Sequence, residues 1–116
     1  MMNVASEEHG VGGGVLIRAL EPLQGVAAME KNRGVAGPLK LTSGPGRLAA
    51  AMQIDKRLDG LDLCARKSPI WLGSAVHPVG EMGITTRIGL SREAHRLLRF
   101  YERGNPFISG PRRLLK

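Results

Sequence analysis

Sixteen glycines and seven prolines punctuate a chain of 116 residues, and only four aromatic side chains, Trp71, Phe100, Tyr101 and Phe107, stand among them. That combination limits the fold more than any other feature. The turns come too often for long elements, and a core without large rings buries little area per residue. The length suits one domain with a modest core. Val15-Leu16-Ile17-Arg18-Ala19-Leu20 is aliphatic and β-branched between Gly12-Gly13-Gly14 and Glu21-Pro22, which predicts a strand between breakers. Met2 to Ala5 predicts a second strand, joined to the first as a hairpin through the Gly-rich loop.

Gln24 to Lys31 has helical composition and ends in the loop Gly34-Val35-Ala36-Gly37-Pro38. Thr42 and Ser43 are capping candidates ahead of Pro45 at an early helical position, and Leu48, Ala51 and Met52 then follow at the spacing of one helix face. Ile70 to Leu72 and Ile84 to Gly89 read as short strands. Ser91 reads as the cap of a helix through Leu98, after which Phe100 and Tyr101 return to strand composition. Strands and short helices alternate without the period of a parallel sheet, so the expected class is α+β.

Charge is distributed unevenly. From Arg87 to Lys116 the chain carries eight Lys/Arg against two Asp/Glu, a net of +6 out of its +7. A basic cluster of this kind draws phosphate backbones by Coulomb attraction and counterion release. An acidic protein or an anionic membrane would be drawn by the same charge. Within the cluster, Arg99 to Ser109 closes on an aromatic pair, a Gly-Asn-Pro turn and another aromatic. Arg92, Arg96, Arg99 and Arg103 there read either as a solvated face or as a phosphate-tracking surface.

Cys64 stands alone, which excludes an internal disulfide and favours a reducing compartment, with the cytoplasm as the default. No apolar run is long enough for a membrane span, and Met1 to Glu8 lacks the basic and apolar segments of a secretory signal. His9 lies beside Glu7 and Glu8, but three neighbouring loop residues do not make a metal shell. His77 and His95 have no Ser or Cys partner in a recognisable nucleophile arrangement. Met29 and Met52 read as core filling.

Two positions invite an anion. Arg18 interrupts an aliphatic strand, so its charge reaches water at a strand edge, pairs with Glu21, or meets a bound anion. Thr42-Ser43-Gly44-Pro45-Gly46-Arg47 places hydroxyls, glycines and a cation at a helix start, either as an ordinary cap or as a phosphate contact. The spacing of a nucleotide-binding P-loop is absent, so ATP is not indicated.

Four blocks in order, Gly14 to Gly25, Ser43-Gly44-Pro45-Gly46-Arg47-Leu48, Arg87-Ile88-Gly89 and Arg99 to Ser109, resemble the 3-methyladenine (alkylpurine) DNA glycosylases of the alkyladenine type. The resemblance implies a single-domain α+β fold around a curved antiparallel sheet with short helices. It implies base-excision repair: a damaged purine is flipped out of double-stranded DNA, where its bond is otherwise inaccessible, and its N-glycosidic bond is hydrolysed without cofactor or metal. By position, Arg18 would help hold the nucleophilic water, Asn3 and Leu16 would line the pocket of the flipped purine, and Ile88 would approach its nucleotide. Ser43, Gly44, Arg47, Arg87, Gly89, Arg99 and Arg103 would face DNA. The family's catalytic glutamate, the residues that sandwich the base and the wedging tyrosine belong to an N-terminal half with no counterpart here, and neither Glu7 nor Glu8 matches the catalytic position. Residues 1–116 are therefore expected to be the C-terminal part of one glycosylase domain, shortened by truncation, a frameshift or a misplaced start. The complete protein would be a monomer acting without a membrane, in the cytoplasm, at the nucleoid or, in a eukaryote, in the nucleus. The alternatives are a non-catalytic DNA-binding remnant and, last, a small RNA- or ribosome-associated protein, which explains the charge but not the four blocks.

Overall fold

The computed structural model describes residues 1–111 as a mixed α+β chain. Its regular elements are β1 (Asn3–Ala5), β2 (Gly14–Leu16), α1 (Val26–Arg33), α2 (Pro45–Ala51), β3 (Met82–Thr85) and β4 (Arg99–Glu102), with short 3-10 turns at Pro38–Lys40 and Lys56–Leu58. The strands form two separate two-stranded antiparallel sheets, β1 with β2 and β3 with β4, where the resemblance implied one curved sheet.

The first hairpin forms as its sequence predicts, with Asn3 opposite Leu16, Val4 opposite Val15 and Ala5 opposite Gly14. Its second strand is shorter than the aliphatic run. Beyond Leu16 the backbone makes isolated bonds, Ile17 N–H to the Met2 carbonyl (3.0 Å) and Leu20 N–H to the Thr42 carbonyl (3.3 Å), in place of a continuous ladder.

α1 lies between two glycines in the left-handed region, Gly25 (φ 73°) and Gly34 (φ 68°), and the Gly34 amide closes the helix on the Glu30 carbonyl. α2 begins at Pro45, whose missing N–H costs nothing at that position. Its N-cap is Gly44, and no side chain caps it. The hydroxyls expected to cap are used elsewhere: the Thr42 Oγ1 donates to the Leu20 carbonyl, and the Ser43 Oγ accepts from Arg47. The apolar core sits here, around Leu41, Leu48, Ala49 and Ala51, with Met2. Met52, expected on the same face, is exposed because it stands past the last helical turn. Polar links fasten α1 to this core: Asn32 Nδ2 donates to the Ala51 carbonyl (2.8 Å) and Arg33 Nη2 to the Lys40 carbonyl (2.9 Å).

Two predicted elements do not form. Ile70 to Leu72 follows Pro69 and has no strand to pair with; its one ordered link is the Leu72 amide to the Leu63 carbonyl (2.7 Å), while Arg66 stacks over the Trp71 ring at 5.5 Å. Ser91 to Leu98 is a series of turns with Glu93 at φ 49°. The Arg87 guanidinium donates to the carbonyls of Arg92 (3.4 Å) and Glu93 (3.3 Å), binding oxygens that a helix would have used. The strand expected from Ile84 to Gly89 instead spans Met82 to Thr85.

Candidate functional site

The second hairpin decides where the cations go. Gly83 pairs with Tyr101 and Thr85 with Arg99, while Met82 pairs with Glu102 and Ile84 with Phe100. Since alternate residues of a strand face opposite sides, Arg99 and Tyr101 share one face with Gly83, and Met82, Ile84 and Phe100 share the other. The outcome inverts the usual order: the charge is inside and the hydrocarbon outside. Arg99 is 3% exposed and Phe100 59%. Gly83 makes room for this arrangement, because a Cβ there would lie 2.3 Å from the Tyr101 ring.

After β4 the chain turns at Gly104 (φ 75°), and the Asn105 side-chain oxygen accepts from the Phe107 amide (2.8 Å). That turn returns Ser109 to the buried face. Ser109 then serves two arginines at once. Its hydroxyl accepts from Arg18 Nε at 3.2 Å, and its carbonyl accepts from Arg99 Nη2. Arg18 therefore does not stand free in water or pair with Glu21; it is half-buried and tied to the far end of the chain.

Among the described residues no carboxylate pairs with either arginine. Among the described residues the ion pairs are Asp55–Arg57, Glu93–Arg96 and Glu81–Arg103. The Arg99 Nε and Nη1 and the Arg87 Nε are buried without a hydrogen-bond partner among the described residues. Burial first, and then the charge of Arg18, hold the Arg99 guanidinium below its usual pKa, while Tyr101, whose ring centre lies 5.3 Å from Arg99 Cζ, opposes the shift.

A cavity of about 860 Å³ opens over these groups. It gathers Leu16, Arg18, Arg87, Ile88 and Arg99, five of the residues singled out from the sequence, and is walled by aliphatic and aromatic side chains such as Val15, Leu90 and Phe107. The other singled-out residues lie elsewhere. Asn3, although opposite Leu16 in the ladder, lines a second cavity of about 770 Å³ with Ile54, Leu58 and Ile70. Ser43, Gly44 and Arg47 are at the start of α2, where Arg47 Nη1 folds back on the Ser43 hydroxyl (3.3 Å). Gly89 sits in a turn at φ 74°, and Arg103 pairs with Glu81 at 3.4 Å.

The cationic face expected from Arg92 to Arg103 is corrected in one respect. Arg99 is turned by the register of β4 away from the outer surface and toward the cavity, and Arg96 is paired with Glu93 at 3.1 Å. Arg112, Arg113 and Lys116 lie outside the described residues. Ser109 and Gly83 were not singled out by sequence reasoning. The one local hint for Ser109 is a hydroxyl placed just after the Gly-Asn-Pro turn; for Gly83 there is none, because its role depends on the strand opposite.

The cavity is walled by hydrocarbon, floored by two arginines and reached from two hairpins. Among the described residues no cluster of His, Cys, Asp and Glu side chains could hold a metal ion, and no helix is long and apolar enough to cross a membrane. The protein-family model for methylpurine-DNA glycosylase matches residues 1–106, and the chain belongs to that family. A relative from Mesorhizobium japonicum is 60% identical over 114 residues, covering 98% of this chain and 54% of its own length. One from Paraburkholderia phytofirmans is 45% identical over 115 residues, covering 99% and 54%, and one from Methanoculleus marisnigri is 38% identical over 112 residues, covering 93% and 57%. Each bears the name "Putative 3-methyladenine DNA glycosylase". The chain thus spans about half the length of the curated relatives it matches.

Proposed function

We propose that residues 1–116 supply part of one alkylpurine DNA glycosylase domain, acting on alkylated or deaminated purines flipped out of duplex DNA in the cytoplasm or at the nucleoid. The observation that carries this reading is the convergence of Leu16, Arg18 and Ile88 on one cavity, from segments far apart in the chain. The cavity has hydrophobic walls against which a purine can stack, and a guanidinium that can hold a polarised water or the departing base's electron density. Arg18 is fixed for this work by Ser109, which fills its Nε and leaves its terminal nitrogens to act. The chemistry is hydrolysis of the N-glycosidic bond: water adds to the sugar carbon as the base leaves with the bonding electrons, and a general base takes the water's proton. None of the carboxylates on this cavity, Glu21 and Glu102, is placed against Arg18 as that base. The base comes from outside these residues.

The test is release of hypoxanthine or 3-methyladenine from duplex DNA, with the chain alone and with it co-expressed with the part of the Mesorhizobium relative outside the matched region. Excision is expected only from the combination, and Arg18→Gln is expected to lower it by about 100-fold. Excision by the 116-residue chain alone, abolished by a substitution within it, overturns the division of labour. A second reading, a DNA-binding module without catalysis, is favoured by the +6 carried after Thr86. It is distinguished by salt-sensitive, sequence-independent binding to duplex DNA together with no excision by the combination.

A further inference from the structure

We infer that Arg99 is the receptor for a carboxylate carried on a second polypeptide segment, which seats that carboxylate by packing on the apolar walls of the cavity. The inference rests on the reading of residues 1–116 as part of a longer domain and is independent of the catalysis proposed for it. It begins with an imbalance: a guanidinium that is 3% exposed keeps two nitrogens, Nε and Nη1, without acceptors. Nε and Nη1 lie on different edges of the planar group, so a carboxylate takes one of them in a fork completed by the second hydrogen of the Ser109-bound Nη2. A second cation, Arg18, shares the same serine and adds to the positive field, so the local charge is doubled and unanswered. Leaving such a group desolvated without a partner costs free energy that an arriving anion recovers.

The surroundings select the kind of anion. Val15, Leu16, Leu90 and Phe107 give the cavity apolar walls, so a group that reaches Arg99 gains by bringing hydrocarbon to cover them. A carboxylate on a hydrocarbon-bearing segment supplies that cover, whereas a backbone phosphate, equally a single charge, brings a hydrated sugar chain and no hydrocarbon to the walls. The cavity's own acids, Glu21 and Glu102, make no ion pair with either arginine. The curated relatives, about twice as long, contain further polypeptide from which such a segment can come.

The experiment co-expresses the tagged outside part of the Mesorhizobium relative with the 116-residue chain and measures the complex recovered. Arg99→Gln is expected to reduce it by more than about tenfold, and Arg99→Lys by less. One Asp or Glu substitution to Asn or Gln on the tagged polypeptide is expected to give the same loss, and the two changes together no further loss. Nitrogen NMR of the unsubstituted chain supplies a readout independent of variant folding: the Arg99 Nε–H resonance shifts on complex formation, and inorganic phosphate at millimolar concentration leaves it unmoved. Absence of a complex, an Arg99→Gln chain that binds equally well, loss that is additive with every acidic substitution, or a saturable shift with phosphate would each overturn the inference. None of these measurements reads base excision, so failure here is separable from failure of the glycosylase reading.

Discussion

The α1–α2 region and the β3–β4 region differ in how they meet the costs of burial. Around α2 the buried side chains are Leu41, Leu48, Ala49 and Ala51, and the buried polar one, Thr42, has its hydroxyl bonded to the Leu20 carbonyl. Around β4 the buried side chains include a guanidinium with open donors, while Met82, Ile84 and Phe100 lie in water. The first region is built as a core normally is, with apolar groups inside and polar groups paired. The second retains a desolvated charge and an exposed hydrocarbon face, both unfavourable in isolation.

Substitutions can break or sharpen that contrast. The largest effect is expected from Leu48→Ala, which empties a fully buried position in the first region and should cost about 2–5 kcal/mol in urea denaturation, enough to abolish a cooperative transition in so thin a core. Gly83→Ala should cost about 1–3 kcal/mol by forcing the Tyr101 ring away, and it should also disturb Arg99, visible as a change in the Arg99 Nε–H resonance. Arg99→Met should move the other way: in the isolated chain it removes an unpaired buried charge and should raise stability by about 1 kcal/mol, measured by the same denaturation. A loss there would mean that the second region is held together by Arg99 as the first is by Leu48. The smallest effect belongs to Asp55, outside both regions, whose hydrogen bonds from Arg57 hold its carboxyl below the ordinary 3.8. Its contribution should be complete above that value and fade as the pH falls through the lowered folded value. Asp55→Asn should therefore lower the neutral plateau slightly and leave the stability at low pH unchanged, so that the profile flattens from the neutral side.

Much of the first region was legible in the chain. Three glycines before Val15 marked the start of a strand, though it ends at Leu16, well short of Pro22; Gly34 ended a helix, and Pro45 began another. Each of these signals acts within a few residues of itself. The second region was less legible because its decisive interactions are long-range. Ser91 to Leu98 has a helical composition, but Arg87 occupies carbonyls the helix needed. Arg99 sits in a run of cations that looks solvated, and only its pairing opposite Thr85 turns it inward. Leu16, Arg18 and Ile88 were found through their motifs, and the fold brings them to one cavity; Asn3 was found in the same way and lines another.

The hydrogen bond between Arg18 and Ser109 joins positions 91 residues apart. It is therefore a timing device as well as a contact. While the chain emerges from the ribosome, the Arg18 guanidinium lacks this partner until Ser109 follows, and the closure entropy of that long loop must be met before the cavity has its floor. The first hairpin and α2 can be complete while the site is not. A chain stopped a few residues before Ser109 would keep nearly all its regular structure and leave both arginines without a common anchor.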